Sequence, residues 1–268
     1  MQDCDQQFNP RYVVTGASCA VGMALKKMYE SHPEKFRCTL IFDLYPWRLG
    51  RPLPQEFQDC LLIHLAHDRK MTFSESVKSI KMLSPNIRYG SIYLSTVSAH
   101  RQAKSNYGKK KYFEERYFLK SNATVIKSGL IFSEIPSSTQ SKILDFIKRF
   151  VIIPLPFNGK SEIFVTDINS LTLLIQELLI NPKAGEMVHA FHLQPLSMRE
   201  VFEKFQSKYD LKRFYLPIPN GLSKLLINFF LIIFPKNSSL DSLNSLFHQI
   251  SRDQINKMKG SNIEFPPL

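Results

Sequence analysis

An α/β fold built on a doubly wound parallel sheet, with a small C-terminal annex, is what this chain of 268 residues predicts. Three observations carry the prediction. Short β-rich apolar runs alternate with helical patterns between residues 11 and 132, the pattern of strands covered by helices on both faces. The first run, Arg11-Tyr-Val-Val-Thr15, passes into a turn bounded by Gly16 and Gly22 and then into a helix. Beyond Phe132 the texture shifts to a Ser/Pro-rich stretch and isolated helical segments, which reads as a separate annex.

The elements follow in order. Arg11–Thr15 is a buried strand, and Met23–Glu30 has helical spacing of apolar residues. Cys38–Phe42 is a second strand, closed by Asp43, and Asp59–Ala66 a third. Ser74–Leu83 reads as a helix and Ser91–Ser95 as a strand. A helix carries Tyr107 and Lys111 towards Leu119, and Ala123–Phe132 reads as one further strand. Ser133–Ser141 is predicted as a surface loop, Lys142–Val151 as a helix, and Ile163–Ser170 leads into an apolar helix over Leu171–Ile180. Val188–Leu193 is a short strand, and Ser197-Met-Arg-Glu200 has the spacing of a capping box opening a helix. Residues 9–135 are expected to form the core, with 163–195 returning a strand and a helix to it. Residues 136–162 and 196–268 are expected to form a small, mostly helical region.

Composition excludes several classes. Hydrophobic residues make up 44% and charged residues 22%, an ordinary globular balance. Cys4, Cys19, Cys38 and Cys60 show no CxxC spacing, so they read as reduced thiols of a cytoplasmic protein, with neither a disulfide frame nor a metal site. The opening Met1-Gln-Asp-Cys-Asp is polar and acidic, unlike a secretory signal. The net charge is +12, but the basic residues are scattered, with one cluster at Lys109–Lys111. A solvated basic surface, with anionic ligands as a second cause, fits better than nucleic-acid binding. Leu222–Phe234 is the most apolar stretch and falls short of the roughly 20 residues a bilayer span needs. A helix packed on the annex is the main expectation there, with membrane-surface contact or a homodimer contact as the minority alternatives.

Two motifs carry chemistry. A strand, a glycine turn and a helix N-terminus present free N–H groups to a pyrophosphate, as in Rossmann-like folds. Here Gly16 opens the turn, Ser18, Cys19, Ala20 and Val21 line it, and Gly22 permits close helix–strand packing. Cys19 stands where a middle glycine is usual. Asp43 is placed to accept hydrogen bonds from an adenosine ribose, which favours NAD over NADP, although Arg48 and Arg51 follow closely enough to reverse that preference. Tyr107 and Lys111 lie four residues apart, on one face of a helix. A phenol has an unperturbed pKa of about 10. A fixed ammonium beside it favours the phenolate and eases proton transfer, which suits hydride chemistry on an alcohol or ketone. Ser95-Thr96 ends the preceding strand, at the sheet edge where ligands sit in open α/β folds.

Taken together, Val14–Gly22, Leu62–Ala66, Ile92–Ala99, Tyr107–Lys111, Val125–Ile131 and Phe164–Ile168 resemble the short-chain dehydrogenase/reductase superfamily, and within it the NAD-dependent epimerase/dehydratase branch. The resemblance covers most of the chain up to about residue 200. It implies that Tyr107 is the general acid/base and that Lys111 holds the nicotinamide ribose. Thr96, with Ser98 as the fallback, would hydrogen-bond the reacting oxygen. It implies that Ala66 and His67 line the adenosine side, that Leu65 beside them is also cofactor-binding, that Gly129 passes near the nicotinamide, and that Asp167 braces a substrate-binding annex. The activity implied is an NAD(P)-dependent epimerase or oxidoreductase acting on a sugar carbon, the small-molecule substrate being a nucleotide sugar. Dehydration would call for an acidic pair beside the threonine, and Val97-Ser98 occupies that place. Lys127-Ser128 stands where Arg-Pro is usual, and Leu44–Gln58 leaves little room for an extra strand. These departures keep a second expectation open: a catalytically impaired dinucleotide-binding or scaffold protein of the same fold.

Overall fold

The computed structural model describes residues 9–45, 47–134, 138–223, 249, 255, 258 and 263–267. The apolar stretch read over Leu222–Phe234 lies outside the described residues from position 224 onward. In chain order the elements are β1 (Arg11–Thr15), α1 (Ala20–Ser31), β2 (Thr39–Ile41), β3 (Leu61–His64), α2 (Phe73–Met82), β4 (Ile92–Thr96), α3 (Asn106–Lys120), β5 (Thr124–Ser128) and β6 (Leu130–Phe132). They continue with α4 (Ser138–Arg149), β7 (Ile152–Pro156), β8 (Glu162–Ile163), β9 (Val165–Asp167), α5 (Ile168–Ile180), β10 (Met187–Ala190), β11 (Leu196–Ser197), α6 (Met198–Lys208) and β12 (Phe214–Ile218).

Six strands form one parallel sheet in the order β10-β5-β4-β3-β1-β2. Alternate residues of each central strand feed opposite faces. Val14, Ile63, Ile92 and Ile126 pack with Leu25 of α1 and Leu171, Leu174 and Leu178 of α5. Val13, Leu62, Tyr93 and Val125 pack with Ile80 of α2 and Phe118 of α3. Both faces are therefore apolar, which is why these strands read as continuous hydrophobic runs rather than as alternating ones. The order reverses between β1 and β3. That reversal opens a crevice beyond the carboxyl ends of the strands, the place where ligands bind in doubly wound folds.

Three expectations need correction. The run Ala123–Phe132 is two strands: Gly129 breaks it, so that β5 stays in the main sheet while β6 pairs with β9. A Cβ at Gly129 would lie within 3 Å of the Phe164 backbone, and the Gly129 N–H turns to Thr166 Oγ1 at 2.8 Å. The stretch expected as loop up to Ser141 already enters α4 at Ser138. Among the described residues the annex holds paired strands as well as helices: α4 and α6 pack against β7–β12 and β8–β11. Their core, which includes Ile143, Ile147, Ile153, Leu155, Val201 and Phe205, is separate from the two sheet faces. The capping box at Ser197 and Glu200 is present. Between β2 and β3 the described residues make a single 3-10 turn, Gln55–Phe57, and contribute no strand to the sheet.

Candidate active site at the carboxyl edge of the sheet

A cavity of about 550 Å³ sits at the crevice. Its floor is the β1–α1 turn: Gly16, Ser18, Cys19, Ala20 and Val21 all line it. Gly16 has φ +81°, and a Cβ there would lie 2.6 Å from the Ala66 nitrogen. Only glycine takes this conformation without strain and leaves the turn against the β3 loop. Gly22 does not line the cavity. It lies beneath, where a Cβ would strike the Gly16 carbonyl, so its role is the close packing read from its position. Cys19 fills the place of the middle glycine as an N-cap. Its backbone is extended and its Sγ accepts the Gly22 N–H at 3.3 Å. Burial pushes this thiol up, and the amide hydrogen bond only partly offsets it, so Cys19 stays protonated.

The opposite wall comes from the ends of β3, β4 and β5. Leu65, Ala66 and His67 follow β3, Thr96 ends β4 with Ser98 just beyond it, and Gly129 follows β5; all reach the cavity. Tyr107 projects into it from the first turn of α3. Two local features fix that turn. Ser105 is its N-cap, its Oγ accepting the Gly108 N–H at 3.0 Å. Gly108 lets the helix approach closely, since a Cβ there would collide with the Ser98 carbonyl oxygen. The Thr96 side chain hydrogen-bonds the Tyr107 hydroxyl. Burial raises the Tyr107 pKa, while the Arg69 guanidinium and the Thr96 hydrogen bond pull it down and Glu114 pushes it up.

Lys111 is placed otherwise. Its Nζ donates to the Leu94 carbonyl at 3.0 Å, lies 4.6 Å from the centre of the Tyr93 ring, and stands 3.8 Å from Glu114 Oε2. It is buried beneath the cavity wall and is absent from the lining. Burial lowers its pKa and Glu114 opposes that shift. Glu114 also accepts Ser76 Oγ and Tyr93 Oη, each at 2.5 Å. Asp43 is not brought to the cavity: its Oδ1 accepts the Tyr45 N–H at 3.1 Å, and it is absent from the lining. Asp167 is the N-cap of α5, its Oδ2 accepting the Ser170 N–H at 2.7 Å.

Sequence reasoning missed Arg69, Asp68, Thr139 and Gln249, all of which line the cavity. Asp68 and Arg69 lie in the loop after β3, at the edge where the fold rule places ligand contacts, so a positional signal existed. Thr139 and Gln249 arrive from the annex and the C-terminal region, and no local pattern marks them. Among the described residues no cluster of His, Cys, Asp and Glu is arranged to hold a metal, and no helix is long and apolar enough to cross a membrane. Cys19, Cys38 and Cys60 are free thiols.

No family model and no curated protein matches the chain. Solved structures do share its fold. One is a short-chain dehydrogenase/reductase superfamily protein from Agrobacterium tumefaciens with bound NAD, at 16% identity and TM-score 0.60, the match covering 78% of this chain and 86% of that one. A second is dTDP-4-dehydrorhamnose reductase from Bacillus anthracis in complex with NADP, at 16% identity and TM-score 0.59, covering 80% and 86%. A third is UDP-glucose 4-epimerase from Thermotoga maritima with UDP-glucose, at 14% identity and TM-score 0.54, covering 78% and 86%. At such identities the likeness establishes the fold. It is the fold the resemblance implied, a doubly wound Rossmann-like sheet of the kind found in short-chain dehydrogenase/reductase structures.

Proposed function

We propose that this chain is an NAD(P)-dependent oxidoreductase or epimerase acting on a sugar carbon of a nucleotide sugar. The observation that carries this reading is that Tyr107, hydrogen-bonded to Thr96, faces the same cavity as the glycine turn from Gly16 to Val21. The residues fit a dinucleotide. The turn leaves no room for a Cβ at Gly16, and Ala20 and Val21, which open α1, line the cavity at a helix N-terminus, the end that favours a bound anion. The turn would hold the pyrophosphate, Leu65, Ala66 and His67 the adenosine side, and Gly129 the nicotinamide end, with Lys111 reaching the ribose after release from the Leu94 carbonyl. The bound nicotinamide would supply or accept hydride.

The chain's own groups do the rest. When a sugar hydroxyl is oxidised, the Tyr107 phenolate takes its proton. When a sugar ketone is reduced, the phenol gives a proton to the forming alkoxide, and Thr96 orients that oxygen with Ser98 beside it. Burial and nearby cations hold His67 well below its ordinary pKa, so it stays neutral and adds no charge to the wall. Asp43 makes no cavity contact that would favour NAD, so both dinucleotides stand as candidates.

Calorimetry with NAD(H) and NADP(H), followed by turnover of nucleotide sugars, tests the reading. Tyr107→Phe should keep cofactor affinity and lose about 10²–10⁴ in turnover. Turnover unchanged by that substitution would remove Tyr107 from the chemistry. Tight cofactor binding with no turnover on any nucleotide sugar would favour the binding-only protein, a reading that the engagement of Lys111 with Leu94 supports.

A further inference from the structure

We propose that Arg69, rather than Lys111, is the cation that stabilises the Tyr107 phenolate in the cofactor-free protein, making Arg69 a positioning residue for proton transfer. The proposal rests on the assignment of Tyr107 as the acid/base, but its test does not require turnover. Three observations carry it. The Arg69 guanidinium lies over the Tyr107 ring, 4.8 Å from its centre. Its loop is tied down from below, because Lys110 Nζ donates to the carbonyls of Asp68 and Arg69 at 3.3 Å each and to that of Met71 at 2.7 Å. Its outer end is held from the annex side, with Nη2 donating to Thr139 Oγ1 at 3.0 Å. A guanidinium fixed at both stem and head gives a steady field.

Lys111 does not occupy that position. Its ammonium is spent on the Leu94 carbonyl, the Tyr93 ring and Glu114, beneath the wall. The charged and titratable groups around Tyr107 can be taken element by element. The loop after β3 supplies Arg69, Asp68 and His67, whose ring meets that of Tyr107 edge-on at 4.9 Å. Helix α3 supplies Glu114, Lys111 and Lys110, the last turned to the carbonyls of the Arg69 loop, and β4 supplies Tyr93. His67 stays neutral and Glu114 opposes phenolate formation, which leaves Arg69, among the described residues, as the charge on the cavity side that favours it.

The full chain labelled with 3-fluorotyrosine, whose phenol ionises at lower pH, is titrated without cofactor by ¹⁹F NMR. Tyr107 is identified as the resonance missing from Tyr107→Phe. Removal of an opposite charge at this range is expected to raise the Tyr107 midpoint by about one pH unit in Arg69→Gln. Arg69→Lys should return most of that shift, and Lys111→Met should move the midpoint less than Arg69→Gln does. An equal midpoint in wild type and Arg69→Gln would overturn the proposal, as would a larger shift in Lys111→Met. Arg69→Met serves the same comparison if Arg69→Gln does not fold. A shifted midpoint in a protein inactive on every nucleotide sugar would leave this inference standing and count against the proposed activity alone.

Discussion

His64 shows how strongly burial dictates the state of a single group. It closes β3 with its Nδ1 2.7 Å from Thr15 Oγ1, and its ring stacks on Tyr93 and Phe118 at 5.8 and 5.7 Å. Burial first, and the positive charge of Lys111 second, push its pKa down to about 3. An unfolded histidine takes up a proton near pH 6.5. Between pH 6.5 and about 3 the unfolded chain therefore binds a proton that the native chain refuses, and stability falls as pH drops through that window. The contribution of one such group is at most roughly 1.4 kcal/mol per pH unit. Urea midpoints measured from pH 7 to pH 5 should decline in the wild type and decline less in His64→Phe, where a phenyl ring keeps the stack and binds no proton. His67 shifts in the same direction but is present in both proteins, so it cancels in the comparison. Parallel curves would show that His64 takes no part. The strand read over Asp59–Ala66 already placed His64 within an apolar run.

Helix α3 and strand β5 are locked by an ion pair with almost no access to water. Lys127 Nζ lies 3.0 Å from Glu115 Oε2, and the two side chains are 3% and 2% exposed. Glu115 also accepts Ser95 Oγ at 2.8 Å, and Lys127 donates to the Ala99 carbonyl. Burial lowers the lysine and raises the glutamate, while each partner opposes the other's shift. Removing one partner leaves a stranded charge, so Lys127→Met should cost about 3–5 kcal/mol in denaturant unfolding. Adding Glu115→Leu should restore part of that loss, because the double variant strands nothing. Simple additivity of the two substitutions would show the pair to be uncoupled. Most elements at this scale were legible from periodicity and from caps such as Ser197. The break at Gly129 was not, because Ala123–Phe132 is apolar on both sides of it and the cause is the backbone of Phe164, distant in the chain. The annex strands were also missed: β8 and β11 have two residues each, and their pairing joins segments with no shared local pattern.

The site as a whole belongs to the molecule rather than to any segment. The cradle and Tyr107 were readable because each lies within one local unit, a turn or a helical turn. Arg69, Thr139 and Gln249 meet them only after the sheet and annex close. A ligand that binds this closed arrangement and not the unfolded chain must stabilise the whole protein, by about 2.7 kcal/mol at a hundredfold excess over Kd. NAD(H) or NADP(H) at that excess should therefore raise the Tm by a few degrees. Gly16→Ala places a side chain at φ +81° and 2.6 Å from the Ala66 nitrogen, so it should lower the Tm of the free protein, at a cost of about 1–3 kcal/mol. It should also abolish the dinucleotide increment, because relieving that contact moves the turn away from β3. Tyr107→Phe, which leaves the turn untouched, should retain the increment. A wild-type Tm that neither dinucleotide moves would show that this crevice, whatever its shape, is not a dinucleotide site.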